Sequence, residues 1–166
     1  MQSFDHELTV LLPRLRRFAH ALSRSPADAD DLTQATAERI LRSRHQWEPG
    51  TRFEAWAFRI MRNLWIDMAR SMTRLEKHLA PEQAAMSIGH DPTEQLEARS
   101  ELMMLMAALA RLPDEQREVV ALVAIEGMGY AEVGRLLDLP LGTVSTRVMR
   151  GRQALLAIMG GHGHDR

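Results

Sequence analysis

An all-α fold, with two small helical domains joined by a flexible linker, is what this sequence predicts, and three observations carry the prediction. Ala, Leu, Met, Arg and Glu are abundant and β-branched runs are few, which favours helix over strand. Apolar residues recur at three- and four-residue steps along most of the chain. From Leu75 to Pro92 that periodicity fades, and Ala80 to Pro92, with Pro, Gly and Ser, has the character of an exposed linker. The expected organisation is therefore a first domain over 1–75, a linker over 76–92, a second domain over 93–160 and a frayed tail over 161–166.

The first helix is read from Phe4, Leu8, Leu11, Leu12, Leu15, Phe18, Ala19 and Leu22, with a bend expected near Pro13. Ser25 is placed to cap the second helix, Pro26 suits its first turn, and the helix should run to about Arg44. Trp47 to Gly50 is a loop, and Thr51 with Glu54 has the spacing of a capping box that opens a third helix reaching about Arg74. Beyond the linker, Thr93–Arg111 and Asp114–Glu126 read as helices separated by Pro113. Gly127-Met128-Gly129 breaks the second of these; Tyr130–Leu137, a turn, and Gly142–Met159 then give a short helix, a tight turn and a longer helix, the helix-turn-helix outline.

Composition removes several function classes. With 166 residues and 45% hydrophobic content the chain can bury a core. It has no cysteine, so disulfides, thiolate metal sites and cysteine nucleophiles are excluded. Met1 to Val10 carries Asp5 and Glu7 and no long apolar run, which reads as neither a signal peptide nor a membrane span and makes a cytoplasmic location the expectation. No glycine-rich phosphate loop, nucleophile signature or paired metal motif points to an enzyme, and no cofactor is expected; His162 and His164 sit in a tail too loose for a metal site. Net charge is −1, so any nucleic-acid affinity must come from local charge, nearly all of it arginine, with Lys77 the single lysine.

Two helices concentrate that arginine. At about 100° per residue, Phe53, Trp56, Ala57, Ile60, Met61, Leu64 and Met68 form the inward arc of the third helix. Arg52, Arg59, Arg62, Asn63, Ile66 and Arg70 form an outer stripe suited to tracking phosphates while Asn63 and Ile66 touch bases. A solvated surface would intersperse acids at helical steps, whereas only Asp67 borders this stripe and Glu54 lies off it. Trp56 is assigned to the core, while Trp47 and Trp65 are left open between packing and base stacking. On the last helix Val144, Val148, Gly151, Leu155 and Ile158 face inward. Ser145, Thr146, Met149, Arg150 and Gln153 face outward, flanked by Arg147 and Arg152, with no acid from Gly142 to Gln153. Those residue types suit a major groove: arginine on guanine, hydroxyls on bases or phosphates, methionine on a thymine methyl. The second helix is acidic through Asp28, Asp30, Asp31 and Glu38, either a dipole-favoured solvated face or a dock for a basic partner.

Asp28 to Thr36 resembles the polymerase-binding segment of sigma-70-type factors. Phe53 to Asn63, with Asp67 and Arg70, resembles their −10 element helix, and Leu112 to Arg117, Tyr130 to Val133 and Gly142 to Arg152 resemble their −35 element domain. Three blocks in this order, with a short linker, are similar to the extracytoplasmic-function group, which keeps only sigma regions 2 and 4. The resemblance implies no catalysis but a subunit that lends RNA polymerase its promoter specificity under the control of an anti-sigma factor. It implies that Asp28, Asp31, Leu32 and Gln34 meet the β′ coiled coil, that the second domain sits on the β flap, and that Arg52, Arg59, Arg62, Asn63, Ile66 and Arg70 hold the −10 element, with the loop from Trp47 to Arg52 as a base-capturing element. It further implies that Thr143, Ser145, Thr146, Arg147, Met149, Arg150 and Arg152 read the −35 element. Asp138 stands where the turn of this motif usually has glycine, and aspartate tolerates the left-handed conformation. The alternatives are a sigma-mimic adaptor that binds an anti-sigma factor without promoter recognition, which would not need both arginine faces, and a helix-turn-helix repressor, which would leave the first domain unexplained.

Overall fold

The computed structural model describes residues 3–76 and 96–161, so nearly all of the expected linker and the end of the tail lie outside the described residues. Within them every regular element is helical: α1 (Phe4–Leu22), α2 (Pro26–Arg42), a short 3-10 turn (Arg44–Gln46), α3 (Phe53–Glu76), α4 (Leu96–Ala110), α5 (Asp114–Val120) running on into a π-helical turn (Ala121–Ile125), α6 (Tyr130–Leu137) and α7 (Leu141–Gly160).

Local chemistry explains the boundaries. Ser3 and Ser25 cap α1 and α2 by accepting from the amides of His6 and Asp28, and Pro26 opens α2. α1 continues through Pro13. The capping box expected at Thr51 and Glu54 does not form: the Thr51 hydroxyl donates to the Glu48 carbonyl, and the Glu54 carboxylate is taken by Arg14. The helix predicted from Asp114 to Glu126 is continuous but widens at Ala121, where the Glu126 amide reaches back to the Ala121 carbonyl. Between α6 and α7, Asp138 adopts φ 57, ψ 52, the left-handed conformation anticipated for the turn.

The first half is a three-helix layer. Leu15, Phe18 and Leu22 of α1, Leu32 and Ile40 of α2, and Phe58 and Met61 of α3 are its fully buried large side chains. Phe18 meets Phe58 edge-on at 5.2 Å, and Phe4, Trp47, Phe53 and Trp56 form an aromatic cluster at one end. In the second half Val119, Leu122, Val133 and Val144 are buried where α5, α6 and α7 meet. α7 approaches α5 closely at Gly151, where an added Cβ would stand 2.5 Å from Val120 Cγ2.

The two halves are not independent. α1 packs against α4, α5 and the π turn, α3 packs against α6, and one buried cluster runs through both halves. Two residues of α3 depart from its helical wheel: Phe58, absent from the expected arc, is 0% exposed against Phe18 of α1, and Trp65 is 8% exposed and part of the core.

Gly151→Ala gains about 1 kcal/mol of helix propensity, but its Cβ would press on the stiff, buried Val120 side chain. A net loss of about 1–3 kcal/mol is expected for this overpacking. Gly142→Ala, with open space around the added carbon, should be neutral or stabilising. Urea unfolding midpoints of the two variants test the contrast.

Candidate nucleic-acid interface

α7 presents its outer face freely. Ser145, Met149, Arg150 and Arg152 are exposed, and Thr143, Thr146 and Arg147 are half-buried beside them. The Thr146 hydroxyl donates to the Gly142 carbonyl, and Arg147 lies 3.7 Å from the exposed Glu115 carboxylate, a spacing at which solvent screens the pair. The face therefore keeps hydroxyl, thioether and guanidinium groups in the combination that reads groove edges.

The stripe on α3 is placed differently. Arg52 pairs with Glu132 of α6 at 2.8 Å, Arg59 donates to the Arg135 carbonyl at 3.3 Å, and Arg62 donates to Glu118 of α5 at 2.9 Å. Asn63 and Arg70 are exposed, while Ile66 is half-buried in a depression shared with Trp65, Ala69, Glu115 and Glu118. The absence of carboxylates on the stripe itself holds. The carboxylates that meet it belong to the other half, which a helical wheel cannot see.

On α2, Asp30, Asp31, Gln34 and Glu38 are exposed and Asp28 is half-buried, giving an acidic face. Asp30 lies 3.4 Å from Arg16. Leu32 is 1% exposed, so it supports the helix from beneath rather than standing on that face. Trp47 is half-buried against Phe4 and Phe53, and its indole Nε1 is buried with no hydrogen-bond partner.

Sequence reasoning missed the charged residues at the seam between the halves. The Glu126 side chain is 0% exposed and receives Arg14 and Arg17 of α1, each at 3.1 Å, while Arg14 also holds Glu54 at 2.7 Å. Those hydrogen bonds, Glu54's above all, push the Arg14 guanidinium above its ordinary value although burial opposes them. Arg117 is buried and donates to the carbonyls of Leu22, Leu109, Ala110 and Leu112, joining the end of α1 to the α4–α5 corner. Burial lowers its affinity for its proton. Burial also raises the Glu118 carboxyl, against the pull of Arg62. The signal available in the sequence was an Arg117-Glu118 pair set directly before the apolar run Val119–Leu122, where solvated charge does not belong.

The comparisons agree with this geometry. The sigma-70 region 2 family model matches residues 9–75 and the sigma-70 region 4 model matches residues 102–155. The ECF RNA polymerase sigma factor EcfG of Rhodopseudomonas palustris is 34% identical over 95% of this chain and 85% of its own length. The chain belongs to the extracytoplasmic-function sigma factors. A second sigma factor, SigE of Mycolicibacterium smegmatis, is 41% identical over 99% of this chain, which spans 65% of that relative's length. Among solved structures, the sigma factor RpoE in complex with the anti-sigma factor NepR from Bartonella quintana matches with a TM-score of 0.80 and 29% identity, covering 98% of each chain. The region 2 match falls on α1–α3 and the region 4 match on α4–α7. No helix among the described residues is long and apolar enough to cross a membrane.

Replacing Arg117 by methionine keeps the apolar stem and strips four carbonyls of their donor. Leaving buried acceptors unpaired should cost about 2–4 kcal/mol, read from urea unfolding monitored by helical circular dichroism.

Proposed function

We propose that this sigma factor binds core RNA polymerase and directs it to promoters, with α3 holding the −10 element and α7 reading the −35 element. The observation that carries the reading is the exposed, acid-free outer face of α7, with Ser145, Met149, Arg150 and Arg152 all reachable from solvent. The companion stripe on α3 supplies a second guanidinium-rich surface on the other half of the chain, of a kind that can track an opened strand. Asp28, Asp31 and Gln34 form the acidic dock for the β′ coiled coil, with Leu32 holding the helix beneath them, and region 4 sits on the β flap.

The protein acts in the cytoplasm as a regulator and not as a catalyst. An anti-sigma factor of the kind seen with the Bartonella quintana sigma factor is the expected controlling partner, because that likeness covers both regions together. The occupied arginines of α3 favour one alternative, an adaptor that binds an anti-sigma factor without reading promoters. The intact cationic face of α7, which such an adaptor does not need, speaks for promoter recognition.

In vitro transcription with purified core enzyme over a promoter library tests the assignment. Arg150→Ala should reduce −35-dependent transcription roughly 10- to 100-fold, the worth of one base-contacting arginine, and leave core binding intact. Loss of both would count against the reading. Asn63→Ala should impair promoter opening more than closed-complex formation, as followed by permanganate reactivity of unpaired thymines against gel retardation.

A further inference from the structure

We infer that region 4 is an intramolecular competitor of −10 DNA: Glu118 and Glu132 occupy, on α3, the guanidinium groups that the promoter strand needs. The inference rests on the function proposed above. It starts from the pairing pattern. Arg52, Arg59 and Arg62 belong to one stripe, and all three are engaged across the seam, by Glu132, the Arg135 carbonyl and Glu118. A carboxylate beside a guanidinium presents the same acceptor oxygens as a phosphate, so the seam and the DNA strand are mutually exclusive occupants of these donors.

The rest of the seam holds region 4 in that position. Glu126 is fully buried on region 4, yet both of its cations, Arg14 and Arg17, come from region 2. Separation of the regions would strip it of both partners and return it to water. The same separation would release Arg117 from the Leu22 carbonyl. None of this makes closure tight. A buried ion pair is weak net glue, since desolvation consumes most of the Coulombic gain, and the carboxyl of Glu118 is raised by burial even beside Arg62. α7, in contrast, keeps its reading face outward in the closed arrangement. Closure therefore silences the −10 reader while leaving the −35 reader presented. A partner that pulls region 4 away releases the stripe.

The test uses the full chain and exploits its lack of cysteine. Spin labels at Gln46→Cys and Ala157→Cys report the separation of the two regions by pulsed electron resonance, and a fluorescein-labelled mixed-sequence single strand reports binding by anisotropy. The doubly neutralised E118Q/E132Q chain should show a new, longer distance component and bind the strand more tightly. Apparent affinity scales with the open fraction, so a chain nine-tenths closed gains about tenfold when fully opened. The E7Q/E101Q chain, which loses the same charge at carboxylates outside the Arg52 and Arg62 pairs, should show neither change, and adding Arg62→Ala to E118Q/E132Q should abolish the gain in binding. An unchanged distance distribution, or a gain no larger than that of E7Q/E101Q, overturns the inference. Promoter-directed transcription by the parent chain separates the two ideas: its absence sinks the proposed function, whereas its presence with an unmoved distance sinks only the competition.

Discussion

A carboxylate shut away from water must have a cation, and in this protein the carboxylate and its cations sit on opposite halves of the chain. Glu126 lies where the π turn meets α1, and Arg14 and Arg17 reach it from one face of that helix. Burial of an unpaired charge costs several kcal/mol, so an arrangement that closes region 4 over Glu126 has to be one that brings Arg14 and Arg17 to it, with region 4 on α1. The continuous core and the capture of Arg52, Arg59 and Arg62 go with that docking. The two helical domains read from the periodicity thus pack against each other.

Much of the fold was legible because it is local. The cap at Ser25 and the left-handed Asp138 depend on neighbours within a few residues. The close fit at Gly151 follows from the inward arc of a single helix. What failed was non-local. Thr51 and Glu54 have the spacing of a capping box, but Arg14, distant in sequence, offers Glu54 a charged partner that a backbone amide cannot match. Trp65 looked marginal on the wheel, and tertiary cover decided it.

The site divides along the same line. The outer face of α7 was readable because no other helix lies over it, so its periodicity alone says what is exposed. The arginines of the α3 stripe were visible in the sequence, yet their surroundings belong to α5 and α6, and Glu118 and Glu132 carry no mark that assigns them to a distant helix. Arg117 and Glu118 were the one visible warning, two charges at the edge of an apolar run.

Among the described residues, every cation that crosses the seam is an arginine. Guanidinium stays protonated throughout the physiological range and lies beyond the reach of lysine acylation, so neither alkalinisation nor acetyl transfer can loosen this closure from its positive side. From the positive side, unfastening has to come through rival anions, such as those of a nucleic acid strand or another polypeptide.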